Sequence, residues 1–178
     1  MKVLVVIDMQ HDFVDMALGS PEAKTIVPAV AAKVAEYAKM DDSVIIYTRD
    51  THFDNYMETM EGKYLPVPHC IVNTIGWQIV PDVYQCDSEV IDKYTFGCYN
   101  LGTVVWEACG RKYNRFDIDS IELCGVCTDI CVISNALILK TNFDNTPIIV
   151  DSKCCAGVTP EKHEAALEVM RSCQIEVI

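Results

Sequence analysis

Basic charge is scarce in this sequence. Only 14 lysines and arginines stand against 26 aspartates and glutamates, giving a net charge of −12. That balance excludes a surface built to hold phosphate backbones or anionic lipid. No long apolar run occurs either. Val3-Leu4-Val5-Val6-Ile7 is cut off at once by Asp8, too short for a membrane span or the core of a secretory signal. The expectation is a cytoplasmic protein without a membrane partner. After that first strand the chain reads Asp8-Met9-Gln10-His11 and not G-x-G-x-x-G, so no pyrophosphate cradle forms and neither nucleotide nor flavin is expected. Repeats, low-complexity stretches and composition shifts are missing too, so residues 1–178 are read as one domain of ordinary size.

Cysteine, by contrast, is abundant, with ten in the chain. In a reducing compartment these are not a disulfide framework. Cys109, Cys124, Cys173 and the Cys154-Cys155 pair lie in apolar contexts and are read as small core residues. Cys124, Cys127 and Cys131 have the spacing of a metal or iron–sulfur site, but Cys124 is predicted within a strand and no fourth ligand follows. Cys131 is different. The strand Ile121 to Cys124 runs into Gly125, a helical pattern starts near Thr128, and Cys131 falls in the first turn. The partial positive charge of a helix start stabilises a thiolate there.

Strand and helix signals alternate along the chain. Lys2 to Met9, Ser43 to Thr48, Glu89 to Ile91, Ser120 to Cys124, Pro147 to Val150 and Gln174 to Ile178 read as strands. Ile26, Val30, Val34 and Tyr37 recur at helical spacing behind Pro21-Glu22. Tyr99 to Tyr113 reads as a helix. Val132, Ala136 and Leu139 make one helical face, and Ala166, Leu167 and Met170 another behind Thr159-Pro160. Residues 50–88 are irregular, and a loop region that long is usually functional. This alternation predicts a mainly parallel sheet with helices on both faces, and puts Asp8, Asp50 and Gly125 to Cys131 on one edge, where open α/β sheets bind ligands.

Five pieces in order carry a resemblance: Asp8-Met9-Gln10-His11-Asp12-Phe13, Arg49-Asp50-Thr51-His52, Pro68-His69-Cys70, Lys93 with Phe96, and Gly125-Val126-Cys127-Thr128-Asp129-Ile130-Cys131-Val132. Together the chain resembles the isochorismatase-like cysteine hydrolases, and within them the nicotinamidases. The resemblance implies a three-layer α/β/α sandwich with a six-stranded, mainly parallel sheet. It implies a catalytic triad of Asp8, Lys93 and Cys131, with Asp8 as base and then acid, Lys93 as charge partner, and Cys131 as nucleophile. The oxyanion donors would be the backbone N–H groups of Cys127 and Cys131, after a cis bond between Val126 and Cys127. The expected reaction is hydrolysis of a small amide through a thioester, with nicotinamide the first candidate. Another small carbamoyl or amide compound is the alternative, and vinyl-ether hydrolysis a weaker one.

Asp50, His52 and His69 suit zinc, manganese or iron by donor type, and relatives of this kind bind a divalent metal through such residues. No further histidine lies between the two. Glu61 is the preferred fourth ligand and Glu58 the other. Phe13 matches an aromatic that packs on substrate, and Gln10, Tyr64, Leu65 and Tyr99 complete the expected pocket. The tryptophan usual before the His-Cys pair is missing; Tyr64-Leu65 stands nearby. His11 is placed at the pocket rim and His163 on an exposed helix face. A homo-oligomer, dimer or tetramer, is expected from the resemblance.

Overall fold

The computed structural model describes residues 1–113 and 117–178. Continuous apolar runs such as residues 3–7 and 44–47 become strand segments buried on both faces, as a covered parallel sheet requires. The strands are β1 (Lys2–Ile7), β2 (Ser43–Asp50), β3 (Glu89–Lys93), β4 (Ser120–Val126), β5 (Ile148–Ala156) and β6 (Glu176–Val177). They form one sheet in the order β3-β2-β1-β4-β5-β6, and every pairing is parallel.

The order reverses between β1 and β4, so the crevice at their C-terminal ends is the topological switch point. Three links lie at or beside it: the turn after β1, the exit of β2 and the segment after β4. The helices are α1 (His11–Val14), α2 (Pro21–Ala38), α3 (Met60–Tyr64), α4 (Leu101–Tyr113), α5 (Ile133–Asn142) and α6 (Pro160–Ser172). α2 packs over β2, β4 and β5, while α4, α5 and α6 lie side by side as the second covering layer.

Local chemistry sets the helix starts. Ser20 Oγ caps α2 by accepting from the Ala23 N–H at 3.0 Å, with Pro21 as the first helical residue. Ala23, Ile26, Val30, Val34 and Tyr37 then form its buried stripe. Thr159 Oγ1 caps α6 through the Lys162 N–H at 3.3 Å. Among the described residues no helix is long and apolar enough to cross a membrane.

Several elements differ from the sequence pattern. β5 runs six residues past Val150, because Asp151, Ser152 and Lys153 break the apolar run at a register shift opposite Leu123 and Gly125 without ending the pairing. The closing strand shrinks to two residues. The loop region 51–88 contains α3, two short 3₁₀ turns and two isolated bridges, Gln10 with Ile79 and His52 with Ile71. Cys109, Cys124, Cys154 and Cys155 are core residues as read, whereas Cys173 is only half-buried.

Gly125 is irreplaceable on geometric grounds. Its φ is +119°, and an added Cβ would lie 2.1 Å from the Ile7 carbonyl oxygen. Gly125→Ala should therefore destabilise the protein by roughly 3 kcal/mol or more, because strain and overlap fall on the β1–β4 pairing. Urea denaturation measures it; a loss below about 1 kcal/mol would show that the backbone yields cheaply.

Candidate active site

β1 ends at Ile7, and Asp8 turns out of the sheet with a φ of +48°, an uncommon conformation for an aspartate. Its side chain is fully buried, and Thr48 on β2 donates to Oδ1 at 2.6 Å. Lys93, at the end of β3, lays its ammonium across the crevice. The Nζ lies 2.7 Å from Asp8 Oδ2, 3.0 Å from Asp50 Oδ1 and 3.5 Å from Cys131 Sγ. Three side chains far apart in sequence thus meet in one cleft.

After β4 the Val126–Cys127 peptide is cis, and Thr128–Val132 forms a π-helical turn that leads into α5. The Cys127 carbonyl accepts from both Ile130 and Val132 N–H at 3.1 Å, which places Cys131 in that turn. Asn135, fully buried, donates to the Cys131 carbonyl at 2.8 Å and to the Phe96 carbonyl at 3.1 Å, and accepts from the Cys98 N–H at 2.8 Å. It ties the turn to the segment after β3, and no spacing in the sequence announces it.

Burial raises the Asp8 pKa above the ordinary carboxylate value, against the opposing charge of Lys93. Burial opposes the Lys93 charge, but Asp8, Cys131 and Asp50 together hold the ammonium on. Burial and the Asp8 charge push the Cys131 thiol well above its usual value, with Lys93 offsetting only part. Desolvation thus outweighs the partial charge of a helix terminus and disfavours the thiolate.

Asp50 also faces a second group. Its Oδ2 is 2.9 Å from His52 Nε2 and 3.6 Å from His69 Nε2, while Glu61 Oε1 is 3.6 Å from each imidazole. One ligand atom from each of these four residues lies within 4.8 Å of the others. Glu61 joins the cluster from α3; Glu58 is exposed on the preceding turn. His69 Nδ1 donates to the Val67 carbonyl at 2.8 Å, which turns Nε2 toward the cluster, the arrangement that orients a metal-binding imidazole.

Burial alone would raise Asp50, but hydrogen bonds from His52 and His69 and the charge of Lys93 hold it well below the carboxylate range. Burial and Asp50 raise Glu61. For His69 burial disfavours charge, yet the Asp50 hydrogen bond raises its pKa above the ordinary imidazole value. Two imidazoles and two carboxylates fit a divalent cation such as zinc.

A cavity of about 310 Å³ opens between these groups. Asp50, Glu61 and His69 line one part, Cys127 and Cys131 the middle, and Phe13, Leu65, Phe96 and Ile130 much of the apolar wall. Phe13 packs on the His69 ring with centroids 5.4 Å apart. Three expected pocket residues lie elsewhere. Gln10 is fully buried and saturated: its amide donates to the carbonyls of Asp50 and Trp77, each at 2.8 Å, and accepts from the Asp50 N–H at 2.7 Å. It clamps the Asp50 backbone and does not touch the cavity. Tyr64 is 85% exposed on a neighbouring groove, and Tyr99, 87% exposed, does not line this cavity. His11 pairs with Asp15 at 3.0 Å, away from the rim. His163 is half-buried, its Nδ1 2.8 Å from Thr128 Oγ1 at the start of the π-helical turn.

Fold and cleft together define a parallel-sheet α/β enzyme with a cysteine-centred site at a sheet switch point. The chain belongs to the isochorismatase domain family, which matches residues 2–178. It is 26% identical to the nicotinamidase/pyrazinamidase of Mycobacterium tuberculosis, over 100% of this chain and 98% of that protein. It is 28% identical to a nicotinamidase of Schizosaccharomyces pombe, over 98% of this chain and 91% of the relative. Its fold is similar to the crystal structure of a pyrazinamidase of Pyrococcus horikoshii in complex with zinc, with a TM-score of 0.83 and 28% identity over 99% of this chain and 98% of that one.

Proposed function

We propose that the protein is a metal-assisted cysteine amidohydrolase, with hydrolysis of nicotinamide to nicotinate and ammonia as its reaction. The observation that carries this reading is the shared carboxylate of Asp50: one oxygen is 3.0 Å from Lys93 and the other 2.9 Å from His52. It joins the thiol–carboxylate–ammonium group to the four-donor cluster in a single site.

Asp8 takes the proton of the Cys131 thiol; both groups face the Lys93 ammonium, which is 2.7 Å from Asp8 Oδ2 and 3.5 Å from the sulfur. A carboxylate whose pKa is raised by burial is a stronger base than an exposed one. The sulfur attacks the carbonyl carbon, and the carbonyl electron pair moves onto oxygen, where the N–H groups of Cys127 and Cys131 serve as donors. As the intermediate collapses, Asp8 returns its proton to nitrogen, the C–N bond breaks and ammonia leaves. Water then gives a proton to Asp8 and attacks the thioester; the C–S bond breaks, Asp8 passes that proton to the sulfur to restore the thiol, and the acid departs. Lys93 keeps its charge throughout and holds Asp8 in place.

Asp50, His52, Glu61 and His69 would hold the metal, which when bound supplies an electron-pair acceptor that orients a ring nitrogen. Chelator competition should find one zinc per chain, and His69→Ala should weaken binding roughly a hundredfold or more. Unchanged affinity would remove this cluster as the metal site.

The functional test is ammonia release from freshly reduced protein given nicotinamide, pyrazinamide, benzamide and aliphatic amides. Turnover of the first two, with benzamide far slower for want of a ring nitrogen, is the expected result. Inert nicotinamide and pyrazinamide beside an active aliphatic amide would overturn the substrate assignment. No ammonia from any amide would overturn the amidase reading.

A further inference from the structure

The cavity continues past Cys131. Its wall also includes Ser20 at the start of α2, Ala156 at the end of β5, Gly157 and Val158 just after it, and Lys162 on α6. Asp50 leaves β2, Cys131 follows β4 and Lys162 follows β5. Strands lie about 4.8 Å apart, so Asp50 and Lys162 flank the cleft on opposite sides of Cys131, about three strand spacings from end to end. A single six-membered ring leaves much of such a cavity unfilled.

This far end is apolar apart from two groups. Ser20 Oγ accepts the Ala23 N–H, which leaves its own hydrogen and one lone pair for a ligand. Lys162 is the one cationic residue on the cavity wall besides the histidine of the cluster. Among the described residues its ammonium forms no ion pair with a carboxylate. Asp129, which does not line the cavity, accepts from the Val158 N–H at 2.8 Å. At Cys127, inside the cavity, burial and the charges of Asp129 and Asp8 raise the thiol pKa, and Lys93 and Lys162 offset part of that. In a chain of net charge −12, a cation placed here favours an anion locally against the overall field.

Resting on the amidase reading above, we propose that the favoured substrate is an amide that also bears an anionic group on the side away from the metal cluster, and that Lys162 selects it. The bonds made and broken are those of the amidase cycle. Lys162 acts on binding and orientation of the substrate.

The test uses two probes. One is nicotinamide carrying a carboxylate on the ring carbon meta to both the nitrogen and the carboxamide; the other is its neutral, isosteric nitro counterpart. Their ratio of kcat/KM for ammonia release is compared between zinc-loaded wild type and variants, so intrinsic reactivity cancels. Lys162→Met should lower the carboxylate-to-nitro ratio about tenfold, the size of one charge-assisted contact discounted for partial exposure, and Lys162→Glu should lower it further. Lys153→Met, an exposed lysine on β5 that does not line the cavity, should leave the ratio unchanged. A ratio that stays the same in both Lys162 variants overturns the proposal while leaving the amidase reading intact. Failure of both probes and of nicotinamide to release ammonia overturns the amidase reading and this one with it.

Discussion

Cys131→Ala should lose at least ~10⁴-fold in ammonia release, the scale seen when a covalent nucleophile is removed. Cys131 is 5% exposed, and its sulfur is 3.5 Å from Lys93 Nζ, the ammonium that also pairs with Asp8 at 2.7 Å. No other thiol takes up that position; Cys127 is four residues away, at the start of the same turn. Alanine fills most of the space, so stability should change little and lost turnover is separable from lost fold. Cys131→Ser should fare scarcely better. A hydroxyl gives up its proton far less readily than a thiol, and nothing in the cleft is arranged to take it beyond one carboxylate. Acid-quenched wild type should show a mass increase matching one acyl group on Cys131, absent from both variants. Full turnover by Cys131→Ala would end the covalent scheme.

How the two ends of the site were legible follows from what fixes each. Asp8, Asp50 and Cys131 follow strand ends, and strands in a covered parallel sheet announce themselves as continuous apolar runs; their common edge then follows from right-handed crossovers. Lys93 has no such local mark, and only the ordered motif set singled it out. Glu61 and Glu58 are equivalent in spacing. What separates them is the turn at Tyr56–Glu58 and the capping of α3, where Thr59 Oγ1 accepts from the Gly62 N–H at 3.0 Å and leaves Glu61 facing the histidines. Gln10 was misplaced for a related reason. A glutamine two residues past the first aspartate looks available to substrate, but its amide is used up on backbone groups of Asp50 and Trp77, and Trp77 lies 67 residues along the chain. Side-chain ionisation is less legible still: the charge state of Cys131 depends on burial, which no local motif encodes.

Lys93→Met should cost both activity and stability, and the stability cost should depend on pH in a definite direction. The ammonium lies 2.7 Å from Asp8 and 3.0 Å from Asp50, both buried. Removing it strands a buried carboxylate, because Asp8 has no other cation within contact distance among the described residues. Breaking such a pair costs about 3–5 kcal/mol where the remaining charge is uncompensated. Turnover should fall roughly a thousandfold, since Asp8 would then be neutral for much of the time and no longer a base.

Asp8 is already raised by burial, and loss of Lys93 raises it further. A carboxylate whose folded-state pKa exceeds its unfolded value binds its proton more tightly when folded. Its penalty is therefore absent below the unfolded value and complete above the folded one. The stability gap between Lys93→Met and wild type should be full near pH 8 and narrow as pH falls toward about 5, where the stranded carboxylate takes up a proton. Urea denaturation of both proteins at the two pH values measures the gap. A gap that is equal at both would mean that Lys93 acts through packing of its alkyl stem and that its charge contributes nothing to holding Asp8.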